Sequence, residues 1–194
     1  MQTIIYLVRH GETEWNRKGI LQGWQDSPLT EEGKKAALAL QQELEEVEFD
    51  YVFASDLGRA IETAKLISPN MLIQEDARLR EIFLGEWQGK QVNTLLQTRP
   101  YQTYIHAPHL FKPTNQESFA SVTKRMKQCL EEISVSGGNL LVVSHGVAIM
   151  CLLAHIKELP LAQLWDGGIV KGATAIRLQW NEGCIKILKD EVPS

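Results

Sequence analysis

One feature of the chain constrains its fold more than any other, and it occurs twice. Near the start, "IIYLVRHGE" runs an apolar stretch of strand length into His10 and Gly11. Far downstream, "LLVVSHGVA" repeats the arrangement with His145 and Gly146. Each stretch reads as a buried strand that ends abruptly in polar residues. Glycine after each histidine permits a tight turn or a close approach of backbone to a ligand.

Helical spacing alternates with further strand-like runs along the rest of the chain. In "SPLTEEGKKAALALQQELEEV", Ala37, Leu40, Leu44 and Val47 recur at steps of three and four, one face of a helix. Thr30 is placed to cap its start, and Glu31 and Glu32 suit the positive end of the helix dipole. "YVFAS" predicts a strand, "RAIETAKLI" a helix and "MLIQED" a weaker strand. Phe119, Val122, Met126, Cys129, Leu130 and Ile133 mark another helix face, ended by Gly137 and Gly138. "NLLVV" then leads into the helix "VAIMCLLAHI", and "TAIRLQW" with "CIKILK" predicts a hairpin turning at 181–183. Residues 85–116 carry scattered Gly, Pro, His and Asn and read as an insertion over the sheet edge that caps the active site. The alternation predicts an α/β fold with a mostly parallel sheet covered on both faces, the direction of the last strand being left open. A single domain accounts for residues 1–194.

Composition narrows the partners. A net charge of −4 disfavours nucleic acid and anionic membranes, so any anion site must be a local concentration of positive charge. No apolar run approaches the ~20 residues needed to span a bilayer. Cys129, Cys151 and Cys184 are odd in number and lack a C-x-x-C spacing, and no basic leader precedes the first strand. A reducing, cytoplasmic setting is the expectation. His106 and His109 have a spacing that suits a metal, but no Cys or carboxylate cluster joins them. Neither metal nor cofactor is expected.

In open α/β sheets ligands bind at the carboxyl ends of the strands, where helix N-termini also point. His10 and His145 both fall at such ends, and neighbouring strands would bring their imidazoles into one pocket. Arg59, in "SDLGRAIETA", falls near a helix N-terminus where the dipole disfavours a cation, so it invites a negative partner. Asp56, as an N-cap, could be that partner. Glu81, in "RLREIFLGEWQG", follows the third strand, and Ile82, Phe83 and Leu84 could desolvate it.

Five segments, "LVRHGETEWN", "LQGWQDSPLTEEG", "SDLGRAIETA", "LREIFLGEWQG" and "VVSHG", together resemble the histidine phosphatase superfamily, also called the phosphoglycerate mutase-like family. The resemblance covers nearly the whole chain. It implies a three-layer α/β/α sandwich and metal-independent phosphoryl transfer. By that match His10 is the nucleophile, Glu81 the proton donor and acceptor, and Arg9, Asn16, Arg59 and His145 the phosphate pocket. Gln22 with Gly23, and Gly146, complete the substrate-binding set. The chemistry is coherent in its own right: arginine forks and a second histidine can neutralise the equatorial oxygens of a transferring phosphoryl group.

Three functions follow from the resemblance. The first is a phosphomonoesterase acting on a small phosphorylated metabolite, as a monomer or homodimer. The second is a 2,3-bisphosphoglycerate-dependent phosphoglycerate mutase. The third is an inactive relative that binds phosphorylated ligands, disfavoured because the five core positions are intact. Around the glutamate, the family's cofactor-dependent mutases carry an arginine, a tyrosine and a lysine where Ile82, Leu84 and Val92 stand. They also have an asparagine at the position of Val147. That apolar set favours the phosphatase.

Overall fold

The two apolar runs become the centre of a six-stranded sheet in a computed structural model that describes residues 2–188. In chain order, β1 (Thr3–Arg9) leads to a one-turn helix α1 (Glu14–Arg17), then α2 (Glu31–Glu43), β2 (Tyr51–Ala54), α3 (Gly58–Ile67) and β3 (Ile73–Glu75). Short helices α4 (Val92–Leu95) and α5 (Arg99–His106) precede the long α6 (Phe119–Ile133). The chain continues through β4 (Gly138–Ser144), α7 (Gly146–Ile156), β5 (Ala175–Asn181) and β6 (Cys184–Ile187). The strand order is β3-β2-β4-β1-β5-β6.

Pleating sends neighbouring side chains of a strand to opposite faces, and both faces of the central strands are covered. Along β1, Ile5 and Leu7 enter one core while Tyr6 and Val8 enter the other. Along β4, Leu140 and Val142 oppose Leu141 and Val143 in the same way. Helices α6 and α7 close the first core with Val122, Met126, Ile149 and Leu152. Helices α2 and α3 close the second with Ala37, Leu40, Ala60 and Ala64. This is the three-layer sandwich the resemblance implied.

Side-chain caps open three of the seven α-helices among the described residues. The Thr30 hydroxyl accepts the Gly33 N–H at 2.9 Å to open α2, and Ser118 accepts the Ser121 N–H at 3.1 Å to open α6. Such caps are worth ~1 kcal/mol each. Helix α2 stops at Glu43, so Leu44 and Val47 pack on the second core from the turn that follows, not from the helix face. The four-residue α1 was not anticipated because one turn carries no period. A capping box between Thr13 and Asn16 holds it.

Strands β1, β2, β3 and β4 are parallel to one another, whereas β5 runs antiparallel to β1 and β6 antiparallel to β5. The hairpin turns through Glu182 (φ 49°) and Gly183 (φ 84°), between paired Asn181 and Cys184. Positive φ at both central residues is the type I′ geometry that matches strand twist. Lys189, the last residue of the expected strand, lies outside the described residues. Tyr101, Tyr104 and Ile105 share a cavity with His10, at the carboxyl ends of the central strands.

Candidate active site

Strands β1 and β4 pair in register to their last residues, Arg9 against Ser144, so the next residues leave the sheet side by side. The His10 N–H donates to the Ser144 carbonyl at 3.0 Å, and the imidazoles of His10 and His145 stand 5.1 Å apart, centroid to centroid. Both rings are buried. Close backbone packing brings them there. A Cβ on Gly11 would lie 2.7 Å from the Gly33 carbonyl oxygen, so the loop after β1 crosses the start of α2 glycine on glycine.

The surroundings of His10 assign its protons. Nδ1 lies 2.7 Å from the Gly11 carbonyl oxygen, which can only accept, so Nδ1 carries the hydrogen. The Arg59 Nε–H donates to Nε2 at 3.2 Å, so Nε2 presents its lone pair. Burial holds the His10 pKa well below the ordinary histidine value, and the Arg59 and Arg9 cations push the same way against the Gly11 carbonyl. His10 is therefore a neutral imidazole whose unprotonated Nε2 accepts from Arg59.

Three polar atoms beside it are buried without a hydrogen-bond partner: Arg9 Nε and both ring nitrogens of His145. Burial, then the Arg59 cation, also keeps His145 neutral, so it has one N–H to give. Arg9 is anchored from its other end, where Nη1 donates to the Val170 carbonyl at 2.7 Å. Orphaned buried groups each cost about 1–3 kcal/mol, and folded chains seldom leave several together unless a ligand satisfies them.

Arg59 departs from expectation. Asp56 forms a two-point ion pair with Arg80 instead. Asp26 takes its place, accepting the Arg59 backbone N–H at 3.2 Å and Nη1 at 2.9 Å. Nη1 also donates to the Gln25 carbonyl, and Nη2 to that of Gly23, each at 2.8 Å. With Nε on His10, four of its five N–H donors are engaged, which leaves one for a ligand. Most of this arginine holds the 23–26 loop.

Glu81 also differs. Its flanking Ile82 and Leu84 are buried, and the carboxyl is held by backbone amides: those of Val147 (3.1 Å) and Ala148 (2.9 Å) at the start of α7, and of Ile82 (2.9 Å). A helix N-terminus suits an anion there.

Arg9, His10, Asn16, Gln22, Gly23, Arg59, Glu81 and Gly146 all line one cavity of about 300 Å³. His145, the ninth predicted residue, meets that wall through its ring contact with His10. The Asn16 Oδ1 accepts the Thr13 N–H at 3.2 Å and the Gln22 Oε1 accepts the Ser27 hydroxyl at 3.1 Å, leaving their amide nitrogens as donors. The rest of the wall is apolar: Ile20, Leu21, Ile82, Leu84, Val147 and Ile169, with Tyr101, Tyr104 and Trp165. Burial pushes the Tyr104 hydroxyl well above the ordinary tyrosine range, so it stays protonated.

Trp165 and Ile169 were missed, since "LWDGGIV" has no period to read. The Trp165 Nε1–H donates to the Tyr104 carbonyl at 3.0 Å and ties this segment to α5. The tryptophans beside the motifs, Trp15, Trp24 and Trp87, stay off the wall. Trp87 packs edge-on to Tyr101 and Tyr104, and Trp24 donates to the Glu81 carbonyl at 2.8 Å. His106 and His109 also stay off it, and among the described residues no three His, Cys, Asp or Glu gather as a metal-ligand set. Nor is any helix among them long and apolar enough to cross a membrane.

The profile of the histidine phosphatase superfamily (branch 1) matches residues 5–191. Phosphoserine phosphatase 1 of Hydrogenobacter thermophilus is 35% identical over 170 residues, 84% of this chain and 81% of that one. A Serratia proteamaculans protein named "Probable phosphoglycerate mutase GpmB" is 33% identical over 162 residues, 80% of this chain and 75% of that one. Among solved structures, Bacillus stearothermophilus YhfR superposes with a TM-score of 0.91 at 38% identity, over 95% of each chain. With the strand-end histidines, the sheet order and a match along almost its whole length in agreement, this chain belongs to the histidine phosphatase superfamily.

Proposed function

We propose that the chain is a phosphomonoesterase that forms a phosphohistidine on His10 and passes the phosphoryl group to water. The observation that carries this is the cluster of buried, partnerless donors around a neutral His10, at Arg9 Nε and on His145. A phosphate monoester brings the acceptor oxygens that those donors complement. Nε2 of His10 attacks phosphorus and the P–O bond to the leaving group breaks, with Glu81 protonating the departing oxygen. Glu81 then takes a proton from water, the water oxygen attacks phosphorus, and the P–N bond breaks to release phosphate. The Nδ1–H held by Gly11 stays in place throughout, so the ring returns neutral. Arg59 turns its Nε–H from the imidazole to a phosphoryl oxygen as the substrate arrives, and Asn16, Gln22 and the Gly23 and Gly146 backbone complete the pocket.

The apolar wall makes water the favoured acceptor. A mutase must hold a second anionic group while its intermediate reorients. Here that group would face Ile82, Leu84 and Val147, losing roughly 1–3 kcal/mol per missing partner. The wall suits a small metabolite whose alcohol is apolar and uncharged, and residues 85–116 with 165–169 select it. Rapid quenching with ³²P-labelled monoester should trap an alkali-stable, acid-labile phosphohistidine. His10→Ala should lose both the label and on the order of 10⁴ or more in kcat. Substantial turnover in that variant would sink the mechanism. Mutase turnover of 3-phosphoglycerate, with 2,3-bisphosphoglycerate present, at tenfold the best hydrolysis rate would overturn the choice of acceptor.

A further inference from the structure

We infer that Arg125, held by Glu117, is a positioning residue for Glu81 and through it governs protonation of the leaving group. The inference rests on the reading of Glu81 as the general acid. Arg125 lies on α6, and its guanidinium is completely engaged. Nε and Nη2 grip the Glu117 carboxylate at 2.8 and 2.9 Å. Nη1 donates to the carbonyls of Arg78 and Arg80 at 2.7 and 2.6 Å, and Nη2 to that of Glu81 at 2.9 Å. These five bonds use all five N–H donors that an arginine has.

Glu117 holds the same loop from its other side. Its backbone N–H donates to the Phe83 carbonyl at 2.8 Å, and its carboxylate accepts the Phe83 N–H at 3.2 Å. One ion pair, with side chains only 16% and 15% exposed, thus holds the backbone on both sides of Glu81. Neither residue lines the cavity, so neither touches substrate.

A half-buried ion pair such as this one is weak evidence for stability, because desolvation offsets much of the attraction. Its use here is geometric. The Glu81 carboxyl hangs between the α7 amides and the cavity, and the reach of the side chain is fixed by where its backbone is pinned. Misplacing a catalytic group by ~1 Å can lower rate 10²-fold. Only a planar fork with five donors grips three carbonyls and a carboxylate at once, which a lysine cannot do.

The test is the dependence of kcat/KM on the leaving group. This parameter covers steps up to P–O cleavage and excludes the later attack of water. Arg125→Met should lower kcat/KM for alkyl monoesters at least tenfold more than for p-nitrophenyl phosphate, whose phenolate departs without a proton. Arg125→Lys should fall between Met and wild type. Equal losses on both substrate types would show a merely structural role and overturn the inference. Should Arg125→Met fail to fold, Glu117→Gln is assayed on the same series with the same selective loss expected. In a Glu81→Gln background, Arg125→Lys should add no selective loss on alkyl esters, and an undiminished one would refute action through Glu81. If Glu81→Gln itself spares alkyl and aryl esters alike, the acid assignment fails first and the positioning role falls with it.

Discussion

The cavity has two ends built on opposite plans. At the end proposed to hold the phosphate, His10, His145, Arg9 and Arg59 stand on strand ends and helix starts, all charged or polar and all but the half-buried Arg9 buried. At the other end, Ile82, Leu84, Tyr101, Tyr104 and Trp165 come from loops and short helices and offer a mostly apolar surface. The difference teaches where rate and where selectivity reside. A phosphoryl group is the same in every substrate, so its receptor can be rigid and tied to the sheet. The alcohol varies, and so does the part of the chain that meets it.

Three experiments test this division. The largest effect is expected at the phosphate end. Arg9→Met removes one preorganised donor and should lower kcat/KM by roughly 10²–10³, about equally for every monoester tested. A loss confined to one class of leaving group would show that the two ends are not separate.

Next comes acid. His10 and His145 are both held neutral in the fold, with pKa values well below those of an unfolded chain. Above pH ~6.5 neither the folded nor the unfolded state binds these protons. Below it the unfolded chain takes them up and the fold does not, so unfolding free energy should fall by up to ~1.4 kcal/mol per pH unit for each histidine. The loss levels off only once the pH passes below the depressed folded values. Urea melts at pH 7.5 and 5.5 measure it. His145→Gln should flatten the dependence, and an unchanged slope would rule out His145 as a source.

The smallest effect is expected on the apolar wall at Ile169, which is 57% exposed. Ile169→Arg should improve kcat/KM for phosphoserine relative to p-nitrophenyl phosphate about threefold to fivefold, the size of one exposed ion pair. Stability should stay within ~0.5 kcal/mol. No change in the ratio would mean that Ile169 does not meet the leaving group.

Local chemistry made much of this protein legible from its sequence. Strands β1 and β4, the Thr30 cap, the α6 face and the positions of His10, His145, Arg59 and Glu81 were all read from residue pattern or from motifs. Apolar runs, caps and periods are specified within a few residues, because dihedral preference and burial act on neighbours. The partners of those groups were not legible. Asp56 is three residues from Arg59 yet pairs with Arg80, while Asp26, from the distant loop before α2, takes Arg59. Glu81 finds the amides of Val147 and Ala148, Arg125 finds the carbonyls of Arg78, Arg80 and Glu81, and Trp165 reaches the Tyr104 carbonyl. Each of these choices depends on which loops the packed layers bring within about 3 Å, a distance that no local pattern encodes. Residue pattern set the central strands, the histidines at their ends and the positive charge beside them. Packing between distant segments decided which donors are left without a partner and which apolar residues line the cavity.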